Sequence, residues 1–186
     1  MKLPSFLIPV SVQKKQRVLK NWKKSWQYAF FQDFLGINRQ VPWPTHWSST
    51  VSHPEKVIRK VTTRPNPGVQ PATVIIADNG IHIGANVWLG PGVKLISARP
   101  DPQDYTHMLP APPIEIGDDC WLGAGAILYP GVVLGKHVVV AAGAVVMESF
   151  TQNDILIGGN PARVLKPLDP YTGSIPTSDN EETTAA

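Results

Sequence analysis

A six-residue rhythm runs through residues 77–100 and resumes through residues 116–150. Neither a helix, with its returns at three and four residues, nor a strand alternating in a flat sheet has that period. In frame, the first run reads ADNGIH, IGANVW, LGPGVK, LISARP, and the second IGDDCW, LGAGAI, LYPGVV, LGKHVV, VAAGAV, VMESF. The first position holds Ala77, Ile83, Leu89, Leu95, Ile116, Leu122, Leu128, Leu134, Val140 and Val146. The fifth holds Ile81, Val87, Val93, Cys120, Ala126, Val132, Val138 and Ala144, a second column of smaller residues. Two apolar columns at fixed offsets require one narrow core. Three short strands and three corners complete a coil in about eighteen residues, the size class of a hexapeptide β-helix. The chain is therefore expected to be an all-β solenoid. The recurrent glycines at the second position, such as Gly84, Gly117 and Gly135, suit corners where a Cβ would obstruct the chain.

The frame breaks once. Leu95 and Ile116 are twenty-one residues apart, three more than a whole coil, so a loop over about residues 101–115 is expected to leave the wall before the pattern resumes. It contains Asp101, Asp104, Tyr105 and His107 among several prolines. Loops carried on a rigid scaffold are common sites of binding and catalysis.

The segments IGANVWLGPGVKLIS, PPIEIGDDCWLGAGAILYPGVVLGKHVVVAAGAVV and IGGNPARVL, between Asn79 and Leu165, resemble the hexapeptide-repeat acyltransferases. That group includes the maltose, galactoside and serine O-acetyltransferases. The resemblance covers slightly over half the chain. It implies a left-handed parallel β-helix, a homotrimer with sites in grooves between subunits, and acetyl-CoA as acyl donor. The left hand is an exception to the usual right-handed parallel crossover, and the spacing itself does not show it. The chemistry implied is direct acyl transfer from the thioester to a small hydroxyl-bearing acceptor. A histidine takes the acceptor proton and backbone N–H groups stabilise the oxyanion. Neither a metal nor a covalent intermediate is required, and Cys120, in an inward column, reads as core rather than nucleophile.

The sequence departs from the family at one place. Where relatives carry an Asn-His or Thr-His pair followed by Asp or Pro, this chain reads Ser97-Ala98-Arg99-Pro100-Asp101. Proline has no titratable side chain, and arginine stays protonated. Three readings stand: His107 substitutes as base, the enzyme works by proximity alone, or transfer has been lost. His107 is the catalytic candidate, with Asp101 or Asp104 to fix its tautomer, Tyr105 to line an acceptor pocket, and Arg99 to clamp a carboxylate or phosphate. His82 and His137 are read as surface histidines.

By the same resemblance the donor lies along the turns at Gly123, Ala124 and Gly125, at Ala141, Ala142 and Gly143, and along the segment holding Asn160, Ala162 and Arg163, with Lys166 adding charge. Trp88 and Trp121, each following a fifth-position residue, are assigned to trimer packing.

Residues 1–70 read as an N-terminal helical cap and an irregular connection, 71–168 as the solenoid with its loop at 101–115, and 169–186 as a flexible tail. Val18, Trp22, Trp26, Phe30 and Phe34 recur four apart in residues 12–35, one stripe of a helix able to cover an open solenoid end. The same segment holds Lys14, Lys15, Arg17, Lys20, Lys23 and Lys24, which also admits contact with a membrane surface. A net charge of +3 concentrated there is a weak case for nucleic acid binding. There is no run of about eighteen apolar residues, and MKLPSFLIPV lacks the pattern of a signal peptide, so a cytoplasmic location is expected. The spaced trio of histidines needed for a carbonic-anhydrase-type zinc site is missing. Two functions remain: an acetyl-CoA-dependent O-acyltransferase, and a noncatalytic trimeric scaffold or ligand-binding protein that has lost the catalytic histidine.

Overall fold

The computed structural model describes residue 28, residues 30–60 and residues 66–173. Its strands are β1 (Thr50–Ser52), β2 (Val57–Arg59), β3 (Val74–Ile76), β4 (Ile81–Ile83), β5 (Trp88–Leu89), β6 (Lys94–Ile96) and β7 (Ile114–Ile116). They continue with β8 (Trp121–Leu122), β9 (Ile127–Leu128), β10 (Val133–Leu134), β11 (Val138–Val140), β12 (Val145–Val146), β13 (Ile155–Gly159) and β14 (Ala162–Pro167). Sheet A stacks β1, β3, β6, β9 and β12; sheet B stacks β2, β4, β7 and β10; sheet C stacks β5, β8, β11, β13 and β14. All pairings are parallel except β13 with β14. From β3 to β12 the chain visits A, B and C in turn, so each sheet is one face of a three-sided prism.

Both sequence columns point inward. Every fifth-position residue is buried, as is every first-position residue except Leu89, which is partly buried and packs against the same cluster. In-register stacking puts identical offsets above one another, Leu95 over Leu128 and Ile81 over Ile114, while Ile75, two residues out of frame, still stacks over Leu95. Each buried aliphatic side chain contributes about 1.5–3 kcal/mol relative to exposure, which explains how strands of two or three residues persist.

The parallel ladder begins about twenty residues before the expected boundary at residue 71, because β1 pairs with β3 and β2 with β4. Val51 continues the column of Ile75, Leu95 and Leu128, Val57 continues that of Ile81 and Ile114, and both are buried. The first-position column is broken on sheet B. Arg59 stands in register with Ile83, where an aliphatic residue is otherwise found. Its guanidinium lies 5.1 Å from the Trp43 ring centre, and burial lowers its pKa. The indole of Trp43 donates to Pro67 O at 2.7 Å, and buried Gln32 donates to Trp43 O at 3.1 Å. Residues around 41–49 thus cover this end of the core. Of the expected N-terminal helix, residues 12–27 lie outside the described residues; Phe30–Phe34 is a single π-helical turn. Among the described residues no helix is long and apolar enough to cross a membrane.

The B-to-C edge carries a polar ladder. Asn86, Asp119, His137 and Asp154 occupy equivalent corners of successive coils, at φ of 56, 61, 52 and 55°. Asn and Asp tolerate this left-handed region because their side chains bond locally. Asn86 Nδ2 donates to Asp119 Oδ1 at 2.6 Å, and His137 Nδ1 lies 2.8 Å from Asp154 Oδ1. Tyr171 packs its ring 5.1 Å from that of His137, with its hydroxyl 3.0 Å from Asn86 Nδ2. His137 is therefore a corner residue with a side chain 14% exposed rather than the expected surface histidine. Its ring serves the stacking of coils. His82 does face outward on β4, 3.8 Å from Glu115.

Candidate active site

The loop leaves the prism at the A-to-B edge, between β6 and β7, and its base is pinned. Asn79, in the turn one coil earlier, donates its backbone N–H to Ser97 Oγ at 3.0 Å and its side-chain amide to Ser97 O at 2.7 Å. The buried Ser97 hydroxyl donates in turn to Ile76 O at 3.1 Å. Beyond it the chain forms a short antiparallel hairpin. Leu109 N–H donates to Arg99 O at 2.7 Å and Asp101 N–H to His107 O at 3.0 Å, flanking a bridge between Pro100 and Met108. Pro100 thus occupies a non-hydrogen-bonded pair, where its missing N–H costs nothing.

Both loop carboxylates fold the tip. Asp101 Oδ1 accepts the Gln103 N–H at 2.8 Å. Asp104 Oδ1 accepts the Thr106 N–H at 3.0 Å and hydroxyl at 2.6 Å, leaving Oδ2 at 2.7 Å from His107 Nδ1. The Thr106 hydroxyl and amide, and then the His107 contact, hold the Asp104 carboxyl below its ordinary pKa. A neutral imidazole donating Nδ1–H to this carboxylate presents Nε2 as an acceptor. Of the two aspartates considered, Asp104 is the one that orients His107. Strand alternation about the bridge assigns Arg99, Asp101 and His107 to one face of the hairpin and Pro100 and Met108 to the other. Tyr105 is 79% exposed near the tip.

The residues assigned to the donor converge on a different edge, C to A. The Gly123–Gly125 turn joins β8 to β9, and the Ala141–Gly143 turn joins β11 to β12 directly above it. Gly123 N–H donates to Val140 O and Gly143 N–H to Ala124 O, both at 2.8 Å. A Cβ on Gly123 would stand 2.6 Å from the Ala142 nitrogen, so glycine is what lets the coils stack this closely. The β13–β14 hairpin brings Asn160, Ala162 and Arg163 to the same edge. Arg163 is engaged by Glu148 at 2.7 Å, and Ala162 is buried. Lys166, opposite Leu156 in the ladder, lies away from this edge on sheet C. The Gly90–Gly92 turn extends the edge by one coil, with Gly125 N–H donating to Pro91 O at 2.8 Å. Its LGPG hexad is in frame with LGAG, which is the signal that would have added it.

Trp88 and Trp121 are register partners on sheet C, 40% and 56% exposed, with Val139 next in the column. Cys120 is buried and donates its thiol to Gly135 O at 3.2 Å. Desolvation pushes the thiol up to about 12, which leaves it without nucleophilic character. Among the described residues no cluster of His, Cys, Asp and Glu is disposed to hold a metal ion.

Residues 113–147 match the bacterial transferase hexapeptide family, described as six repeats. Among solved structures, a hexapeptide-repeat acetyltransferase from Vibrio cholerae, complexed with acetyl-coenzyme A, is 30% identical, with 66% of this chain and 69% of that one covered and a TM-score of 0.53. The chain belongs to the hexapeptide-repeat acyltransferases. A maltose O-acetyltransferase from Clostridium difficile aligns at 26% identity over 66% of this chain and 64% of that one, with a TM-score of 0.55. The galactoside O-acetyltransferase of Escherichia coli is 30% identical over 98 residues, 51% of this chain and 48% of the relative. The chain spans about half the length of the relatives matched by sequence. The shared fold is the left-handed parallel β-helix, as expected.

Within that family fold, the loop histidine and the donor turns stand on neighbouring edges of the prism, separated by the width of sheet A. A repeat of six residues spans at most about 20 Å when extended. The sequence pattern alone does not assign the two groups of candidate residues to separate edges.

Proposed function

We propose that the protein transfers an acetyl group from acetyl-CoA to the hydroxyl of a small acceptor, such as a sugar, and that His107 is the base. The observation that carries this reading is the 2.7 Å contact between His107 Nδ1 and Asp104 Oδ2. It leaves Nε2 without a partner among the described residues and backs the ring with a carboxylate that can stabilise the imidazolium. As the acceptor oxygen attacks the thioester carbonyl, Nε2 takes its proton. The tetrahedral intermediate then expels coenzyme A, whose sulfur leaves with the C–S bonding pair and recovers a proton from the imidazolium. Backbone N–H groups of the C-to-A turns are the candidates to hold the oxyanion.

The donor edge is assigned to residues 123–125, 141–143 and 160–163, with Lys166 farther out on sheet C. The Vibrio cholerae relative, solved with acetyl-coenzyme A, supports the choice of donor. The separation of the two edges favours a site completed by a neighbouring copy, whose loop would face this chain's donor turns. A homotrimer meets that requirement, and the exposed Trp88–Trp121 column supplies apolar surface for it.

Calorimetric titration with acetyl-CoA, followed by an acceptor screen, tests the proposal. Saturable binding near one site per chain and turnover reduced about a hundredfold or more in His107→Ala are expected. Unchanged transfer in His107→Ala would remove the histidine from the mechanism. A second reading is favoured by Arg99-Pro100 in the stretch where the family resemblance implies a histidine: a ligand-binding scaffold without catalysis. Its mark would be acetyl-CoA binding with no transfer to any acceptor and no slow thioester hydrolysis.

A further inference from the structure

We infer that the hairpin carries an oxyanion subsite centred on Arg99, so that the acceptor is a small hydroxyl compound bearing a carboxylate or phosphate. This rests on the acyltransferase reading above for its place in the reaction, but the subsite has its own observations. Arg99 is exposed, and among the described residues no hydrogen-bond acceptor or acid engages its guanidinium. Other cations of this surface are engaged, Lys60 by Asp118 at 2.9 Å, Lys136 by Asp119 at 3.6 Å and Arg163 by Glu148 at 2.7 Å, whereas Arg99, like Arg39, Lys94 and Lys166, is left to solvent.

The hairpin holds two carboxylates of its own, and both are committed elsewhere. Asp101 caps the Gln103 amide, while Asp104 is saturated by Thr106 and His107. Arg99 also has a fixed backbone, held by Leu109 on one side and by the Ser97–Asn79 clamp just before it. Its alternation phase is that of His107. In an antiparallel pair, residues two steps off the direct partner lie about 7–8 Å apart on the same face, close enough for one small ligand to touch both side chains. A planar guanidinium offers two parallel N–H donors to a carboxylate or phosphate, which fixes orientation as well as charge. An acceptor anchored at Arg99 would then present a hydroxyl a few bonds away to Nε2 of His107.

The test is an amide nitrogen–proton NMR titration of the full chain with galacturonate, galactose 6-phosphate and galactose. Saturable shifts over residues 99–109 are expected with at least one of the two anionic sugars and not with galactose. The two anions distinguish a carboxylate site from a phosphate site. Arg99→Gln should abolish the response and Arg99→Lys should weaken it about tenfold or more, because an ammonium does not reproduce the fork. Neither variant removes a hydrogen bond of the fold, since Arg99 contributes only its carbonyl. Shifts of equal size with galactose, no saturable shift with either anion, or an unchanged response in Arg99→Gln would each overturn the subsite. Acetyl-CoA added to the same samples reports separately on residues 123–125 and 141–143. Silence there with a responding hairpin would defeat the donor assignment and leave the Arg99 subsite standing.

Discussion

Gly123 and Gly125 lie two residues apart in one turn of the C-to-A edge, yet the structure favours glycine at each for a different reason, and a pair of substitutions separates them. A Cβ at Gly123 would meet backbone of the next coil, 2.6 Å from Ala142 N and 2.9 Å from Val140 O. Backbone cannot rotate away as a side-chain tip can. Restoring ordinary contact at 3.4 Å means parting the coils locally by roughly 0.8 Å. The Gly123–Val140 and Gly143–Ala124 hydrogen bonds, both 2.8 Å, would then stretch past the useful range. Two net hydrogen bonds and overpacking against a stiff neighbour together put Gly123→Ala at about 2–4 kcal/mol of destabilisation. Gly125 has open space within 4 Å but a φ of +69°. Gly125→Ala should cost about 1–2 kcal/mol of backbone strain, and Gly125→Asn should recover much of it because Asn tolerates that region. Gly123→Asn should recover nothing. Equilibrium urea unfolding followed by tryptophan fluorescence at one fixed chain concentration reads all four variants. A Gly123→Ala protein with the wild-type midpoint, or one rescued by Asn, would show that coil spacing at this edge is not set by the missing Cβ. The Gly123 variants should also weaken acetyl-CoA binding, since the turn amides move with the coils.

Asp104→Asn leaves one side-chain oxygen where the carboxylate uses two, one for Thr106 and one for His107 Nδ1–H, and removes the charge that stabilises the imidazolium; kcat should fall about tenfold or more with the acceptor KM little changed, and an equal loss in both would mark mere unfolding of the loop. Cys120, with its thiol raised from 9.0 to about 12, holds roughly a thousandfold less thiolate at pH 8 than an ordinary cysteine. Iodoacetamide should therefore label it about a thousandfold more slowly in the native chain than in urea, and similar rates would contradict its burial. The Lys60 ammonium, 2.9 Å away, is the main cause holding the Asp118 carboxyl below 3.8, with the Ala85 amide adding to it. A depressed carboxyl pKa contributes stability that is present above the unfolded value and is lost as pH falls through the folded one. Lys60→Met should move the Asp118 titration upward in a carbon-detected NMR pH series, and an unmoved curve would mean the pair does not form in solution.

The fold was legible because two apolar columns repeat at a period no helix or flat sheet can satisfy, and every member of those columns except the partly buried Leu89 is buried. The first coil was missed for a definite reason. At residues 50–59 Val51 and Val57 continue the two core columns, but the register partners Val51 and Ile75 are 24 residues apart and Ile75 and Leu95 20, so the six-residue frame slips, and Arg59 beneath the Trp43 ring puts a charge where Ile83 stands in the next coil. His137 was misread because frame position does not encode corner geometry; its left-handed φ and its contacts with Asp154 and Tyr171 depend on neighbours seventeen and thirty-four residues away. The turns proposed to hold the donor were readable one by one as hexads with glycine at the corner. Their alignment on one edge, with the histidine loop on the next, follows from the order in which the chain visits the three sheets.

Pro100 or its neighbour Arg99 stands where the family resemblance implies a histidine, which raises the question of why the loop accepts proline there. The hairpin register answers half of it. Position 100 is paired through side chains rather than amides, so proline fits without loss of a ladder bond and, with φ already fixed, stiffens the strand that carries Arg99. The other half is the alternation that assigns position 100 to one face and Arg99 and His107 to the opposite one. A base at position 100 and a base at position 107 would therefore address different sides of the hairpin, and restoring one is not equivalent to keeping the other. Pro100→His in the wild-type background should leave transfer close to unchanged, and in the His107→Ala background it should fail to rescue. Rescue there, measured as acetyl transfer with the acceptor that the wild type uses, would mean both positions reach the same oxygen and would refute the two-face description of the loop.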